Sequence, residues 1–308
     1  MGGCVPAADR TIRTAGSIAT CNTTTCKIFG MRAQAWDWDE TLYAGSASHY
    51  STGRMPYPPI LAEAIRRELH LDGTGRLLDV GCGPGSLTLL LAPLFEAAVG
   101  VDADRDMIAE AQRRAAATGA TNVEWRQLRA EDLPADLGTF RVVTFAQSFH
   151  WMDQALVARR VRRMFTAGGV WIHIHATTHR GVAGEDPLPH PRPPWDRIDE
   201  MVTRYLGPVR RAGQGCLPAG TRSNEEEVMR QTGFSGPTRI DVGGGQVMNR
   251  SIDEIAAALL SLSGSTPHLF GDQLPTFEAD LRRLLATASH DGRFSERTRE
   301  VAVVIWRP

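Results

Sequence analysis

The sequence predicts an α/β fold of the doubly wound kind, with a mostly parallel sheet. Three observations point there. Short apolar runs recur between residues 77 and 174, most of them without polar alternation. Helical stretches fall between those runs, and a glycine-rich turn, Gly81-Cys82-Gly83-Pro84-Gly85, joins the first run to the first helix. Strands covered on both faces lose their alternation, and strands that alternate with helices build parallel βαβ units.

The elements follow in order. Pro58-Pro59 opens a helix carrying Leu61, Ile65 and Leu69 on one face, with Gly73 just beyond its end. Strands are expected over Leu77–Val80, Ala97–Val101, Val123–Gln127, Val142–Ala146 and Val170–Ile174. Helices are expected near 85–95, 105–117 and 153–165, the last with Val157, Val161 and Met164 in one stripe. After residue 176 the alternation breaks. Residues 181–220 are rich in Pro and Gly around one helical stretch near 195–205, too long a run for a plain connection, so they read as a lid or substrate insertion after the fifth strand. A helix near 223–232, opened by Ser223-Asn224 and acidic residues, leads to a strand near 237–243. Helices near 252–262 and 273–289 follow, then a last strand over Val301–Ile305.

Residues 1–30 show no period and lack the continuous apolar core of a secretory signal, so they are expected to be a disordered tail, with Met31 an alternative start. Residues 31–308 are then one domain, with 31–57 as an N-terminal cap. A net charge of -1 gives no electrostatic case for nucleic acid or an anionic membrane as partner. Lys27 is the single lysine, so nearly every cation is a planar guanidinium. Five cysteines without repeated spacing argue against a disulfide framework and suit a reducing cytoplasm. No apolar run approaches a membrane span. The sequence assigns no oligomeric state.

The turn at Gly81–Gly85 carries the chemistry. Glycines let the backbone turn sharply and let a ligand approach closely. In a doubly wound sheet such a turn lies at the carboxyl end of its strand, where ligands bind. Asp102 stands 21 residues beyond Gly81, at the end of the second strand, where a carboxylate can hold two ribose hydroxyls. That much suits an adenosine ligand of either kind, NAD or a sulfonium nucleoside. Two features separate them. Asp79 precedes the first glycine, and a carboxylate there repels a pyrophosphate but tolerates an ammonium or sulfonium. The spacing is G-x-G-x-G, and Ser86 occupies the last glycine position of the dinucleotide fingerprint.

With those residues in view, the chain resembles the class I S-adenosylmethionine-dependent methyltransferases over roughly residues 45–175. The blocks that carry the resemblance are Leu77 to Gly85, Val99 to Asp102 with Met107 downstream, Ala130 to Pro134, Arg141 to Trp151, and Met164 to Val170. The resemblance implies a Rossmann-like methyltransferase fold and S-adenosyl-L-methionine as cofactor. It implies that the backbone of Gly81, Cys82, Gly83 and Gly85 cradles the methionine and ribose parts, that Asp102 takes the ribose hydroxyls, and that Asp79 and Ala103 also belong to the cofactor site. Met107, Ala130, Glu131 and Gln147 complete the list, Ala130 and Glu131 beside the adenine. Arg129 stands where many relatives have an aspartate. The run from Tyr50 through Arg54 to Pro58 looks like one subgroup's opening segment, in which Arg54 pairs with the methionine carboxylate; a solvated arginine is the plainer reading.

The pair His150-Trp151 resembles a subgroup that includes the trans-aconitate methyltransferases. His150 is the candidate catalytic residue, and three roles are open to it: a base, an orienter of a substrate carboxylate, or a histidine bonded to nearby backbone. Trp151 reads as pocket wall or core. His173 and His175 alternate on one strand and share a face. A metal is conceivable there, but no carboxylate recurs at regular spacing with them, so the expectation is no metal, with both lining the cleft mouth or packing under the lid. The leading function is methyl transfer to a small-molecule acceptor bearing a carboxylate or hydroxyl. An NAD-type oxidoreductase and a non-catalytic S-adenosylmethionine-binding protein are the alternatives.

Overall fold

A computed structural model of the chain describes residues 39–212, 215–216 and 224–308. The expected tail, residues 31–38 of the cap, and residues 213–214 and 217–220 of the insertion lie outside the described residues. The strands are β1 (Arg76–Val80), β2 (Ala97–Asp102), β3 (Val123–Gln127), β4 (Phe140–Ala146), β5 (Phe165–His175), β6 (Arg211–Ala212), β7 (Gly215–Cys216), β8 (Ser235–Val242), β9 (Val247–Ser251), β10 (Arg293–Arg297) and β11 (Val301–Arg307). The helices are α1 (Ala47–Gly53), α2 (Ile60–Glu68), α3 (Ser86–Leu91), α4 (Arg105–Thr118), α5 (Gln154–Val161), α6 (Trp195–Leu206), α7 (Glu225–Gln231), α8 (Ile252–Leu260), α9 (Pro267–Phe270) and α10 (Leu274–Ala288).

Seven strands form one sheet in the order β3-β2-β1-β4-β5-β11-β8. The first five are parallel, and β11 runs antiparallel to both β5 and β8. The order reverses between β1 and β4, and the crevice above that reversal is where an open α/β sheet takes its ligand. One sheet face packs Leu78, Val99, Val143, Phe145 and Trp171 with residues of α5 and α7. The other packs Leu77, Ala98, Val142, Ile172 and Ile174 with residues of α2 and α3. Both faces are covered, which is why these strands read as continuous apolar runs.

Several elements escaped the sequence pattern. α1, in a stretch without helical period, sits against α8 because of Gly53: a Cβ there would lie 2.0 Å from the Ala258 nitrogen. β9 and β10 pair although they are far apart in sequence. α6 does not stand alone as an insertion helix; Ile198, Met201 and Val202 enter a third core with Ile255, Leu259, Phe277 and Leu281 of α8 and α10. A buried ion pair ties this region together. Arg250 donates to Glu296 (2.8 Å) and to the backbone oxygens of His179, Gly53 and Glu254. Glu296 also accepts from the Gly181 amide and the Trp195 indole, each at 2.8 Å. No helix among the described residues is long and apolar enough to cross a membrane.

Candidate active site

The turn after β1 is built on glycines with positive φ: Gly81 at 68°, Gly83 at 52° and Gly85 at 74°. Two of them also need the absence of a side chain. A Cβ on Gly81 would meet Ser148 at 2.4 Å, and one on Gly85 would meet the Trp125 ring at 2.4 Å. Gly83 differs, because nothing lies within 4 Å of its would-be Cβ. It faces an open cavity at the carboxyl edge of the sheet.

Tyr50, Gly81, Gly83, Asp102, Ala103, Met107, Ala130, Glu131 and Gln147 all line that cavity, so nine of the sequence-selected residues come together. Asp102 is held by two backbone amides, Gly83 at 2.8 Å and Asp104 at 2.9 Å, one on each carboxylate oxygen. Each oxygen keeps a lone pair for a further donor. Burial pushes the Asp102 carboxyl up to about 6, against the lowering effect of those amides. Glu131 lines the cavity with one oxygen already engaged by the Asp153 amide, at 2.9 Å, at the start of α5.

Four of the selected residues stand elsewhere. Asp79 is fully buried on β1 beneath the turn. Its two oxygens accept from Thr88 (2.6 Å) and Thr144 (2.7 Å), and burial raises its pKa to about 6. It braces the turn against α3 and β4 and does not line the cavity. Cys82 is buried, its thiol donating to the Gly83 carbonyl at 3.5 Å, and burial holds that thiol protonated. Gly85 caps α3 in the left-handed conformation. Arg54 stacks over the Tyr50 ring at 4.5 Å and donates to Ser261 and Thr178. Its fork is therefore occupied by the protein, and it reaches the cavity only through Tyr50.

His150 also departs from expectation. It sits in a single 3-10 turn, Phe149–Trp151, and it is Trp151, not His150, that lines the cavity. Burial, with a smaller contribution from His175, pulls the His150 pKa down to about 4. A histidine so placed stays neutral and is a weak base. Tyr43, Leu128, Ala146, Ser148 and Met152, which the sequence did not single out, and Arg129, noted only as a departure from its relatives, complete the lining. Ser148 donates to the Val80 carbonyl at 2.6 Å, locking the end of β4 to the end of β1. Gln147 adopts φ 54°, unusual for a residue with a side chain and a mark of a constrained site.

His173 and His175 find the carboxylate that sequence spacing did not supply. Glu225, from α7, places one oxygen 3.6 Å from His173 Nδ1 and 3.6 Å from His175 Nε2. The three form a compact group on the sheet face that carries α5 and α7.

Residues 77–169 match the family described as a methyltransferase domain. An uncharacterised methyltransferase of Bacillus subtilis, YcgJ, is 31% identical over 37% of this chain and 43% of its own length. Its crystal structure aligns with a TM-score of 0.45 at 20% identity, over 80% of this chain and 96% of that one. A ubiquinone biosynthesis O-methyltransferase of Methylococcus capsulatus is 32% identical over 46% of this chain and 56% of its own. A tRNA (uracil-5-)-methyltransferase homolog of Mus musculus is 36% identical over 25% of this chain and 13% of its own. The chain thus spans about half the length, or less, of the curated relatives it matches. Residues 77–169 are thus similar to a methyltransferase domain, and the cofactor of such domains is S-adenosyl-L-methionine. The cavity fits that cofactor: a Cβ on Gly83 would project into open space, and Asp102 presents a carboxylate already organised by two amides.

Proposed function

We propose that the chain transfers the methyl group of S-adenosylmethionine to a small-molecule acceptor bearing a carboxylate or hydroxyl, in the cytoplasm and without a nucleic-acid or membrane partner. The observation that carries this reading is the cavity wall. It carries the aromatics Tyr43, Tyr50 and Trp151, and Arg129 is the single cation among the described lining residues, beside the acids Asp102 and Glu131. A polyanionic acceptor needs a basic track to neutralise its phosphates, and this lining offers none.

In this reading Gly81 and Gly83 cradle the methionine part, Asp102 takes the ribose hydroxyls, and Ala130 with Glu131 flanks the adenine. Asp79, Cys82 and Gly85 hold the turn in shape from behind. Arg54 positions Tyr50, and the 39–57 segment serves as the cap. The bound cofactor supplies a methyl on a sulfonium, an activated carbon with a neutral leaving group. The protein's share is alignment and exclusion of water, which the aromatic wall provides. The His150-Trp151 pair aligns the chain with the subgroup that includes the trans-aconitate methyltransferases, with Trp151 as the wall. The test is transfer of a labelled methyl from S-adenosylmethionine to a panel of small carboxylic acids and phenols, with total tRNA in parallel. Label is expected in an extractable small molecule. Label in the tRNA alone, or in nothing, contradicts the reading.

A further inference from the structure

The group at the carboxyl end of β5 has the composition of a two-histidine, one-carboxylate metal site, yet its hydrogen bonding argues for a proton. The Trp171 indole N–H donates to His173 Nε2 at 2.8 Å. That nitrogen therefore carries the lone pair, and in the neutral ring the proton sits on Nδ1, facing Glu225. A metal on Nδ1 would move the proton to Nε2 and set two N–H groups against each other. His173 and Trp171 are both buried, so neither turns to water for relief. His173 thus turns a fixed N–H toward Glu225, 3.6 Å away.

The same carboxylate oxygen faces His175 Nε2. An ionised Glu225 favours His175 with its proton on Nε2, which leaves Nδ1 as a free lone pair on a ring that is 44% exposed. This is the arrangement of a base oriented by a carboxylate, the carboxylate itself steadied by a third group. His175 stands beside the cofactor cavity without lining it. His175 ends β5, and the preceding residue, Ile174, accepts a hydrogen bond from the amide of Gln147, which lines the cofactor cavity.

We propose that His175, oriented by Glu225 and backed by His173 and Trp171, takes the proton released by the acceptor during methyl transfer. The inference rests on the methyltransferase reading and deepens it. In the step, which takes a hydroxyl acceptor, a lone pair on the hydroxyl oxygen attacks the methyl carbon. The carbon–sulfur bond breaks with its electrons returning to sulfur, leaving a neutral thioether. The acceptor's proton passes to His175 Nδ1, and the ionised Glu225 stabilises the resulting imidazolium. His175 is faced by His173 on its own strand, Glu225 from α7, His150 beyond β4 and Arg239 from β8. Burial, then Arg239, pulls the His175 pKa down, while burial pushes Glu225 up to about 7. The working form, neutral His175 with ionised Glu225, is filled as the pH rises through neutrality.

The deciding experiment is nitrogen-15 NMR of the histidine rings of the full chain, with and without S-adenosylhomocysteine, between pH 5 and 9. In the wild type, His173 is expected to stay neutral with its proton on Nδ1, and neutral His175 to carry its proton on Nε2. In Glu225→Gln, neutral His175 is expected to lose its preference for the Nε2 proton, since the orienting carboxylate is gone. In His175→Gln, the rate of labelled-methyl transfer is expected to fall by about 10² or more at unchanged S-adenosylhomocysteine affinity. Four results overturn the proposal: an unchanged His175 tautomer in Glu225→Gln, neutral wild-type His175 protonated on Nδ1, wild-type transfer by His175→Gln, or stoichiometric zinc bound by the wild type and lost in His173→Ala. Absence of S-adenosylhomocysteine binding overturns the underlying methyltransferase reading instead, and the NMR tautomers register the pair separately from it.

Discussion

The two sides of the site are held by different means. On the cofactor side, the backbone fixes the chemistry: three glycines shape the turn and two amides orient Asp102, all within residues 81–104. On the β5 side, side chains fix each other across long separations. Glu225 reaches back to His173 and His175, and the Arg250–Glu296 pair joins α1, α6 and the β9–β10 ladder. A site encoded by backbone conformation leaves a mark at fixed spacing in the sequence. A site assembled from side chains on separate elements leaves almost none.

Arg250→Ala should produce the largest effect on the side-chain-built half. It leaves Glu296 charged and buried, with the Gly53, His179 and Glu254 carbonyls losing a donor. A loss of about 3–5 kcal/mol is expected, read from urea unfolding. A loss below about 1 kcal/mol would break the contrast, showing that the apolar contacts of α6, α8 and α10 suffice alone.

The pH dependence of cofactor binding probes the other half more gently. In the proposed binding mode the ribose hydroxyls need Asp102 ionised, and in the free protein burial raises its pKa to about 6. Below that value binding must expel a proton, so S-adenosylhomocysteine affinity should fall with decreasing pH, by up to about tenfold per unit. Above about 7 it should be flat. Calorimetry at a series of pH values reads this directly. Asp102→Asn should remove the dependence along with much of the affinity, and a steep fall persisting in that variant would move the titration to another group.

The same contrast explains what the sequence disclosed. The parallel strands and the α4 and α10 helices were legible because burial on both faces, or a single apolar stripe, leaves a periodic trace. The turn and Asp102 were legible because glycine conformation and carboxylate placement recur at set intervals. Asp79 was selected for its charge near the ligand, but the charge is turned inward to Thr88 and Thr144, a choice made by two hydroxyls that no spacing announces. Arg54 went astray for a similar reason, since its partner Ser261 lies 207 residues away. His150 was chosen for its place after β4, yet the tight turn sends Trp151 into the cavity instead. α1 was hidden because its fit depends on Gly53 against the backbone of α8 and not on an apolar stripe.

The central claim is that the cavity above β1 and β4 is an adenosyl-sulfonium site organised by Asp102. Calorimetry of the full chain against S-adenosylhomocysteine and against NAD, for wild type and Asp102→Ala, tests it most directly. The expected result is binding of S-adenosylhomocysteine and none of NAD. Asp102→Ala should weaken that binding by about 10²–10⁴, from two charge-assisted hydrogen bonds of about 1.5–3 kcal/mol each. NAD binding in preference to S-adenosylhomocysteine, or full affinity in Asp102→Ala, would contradict it.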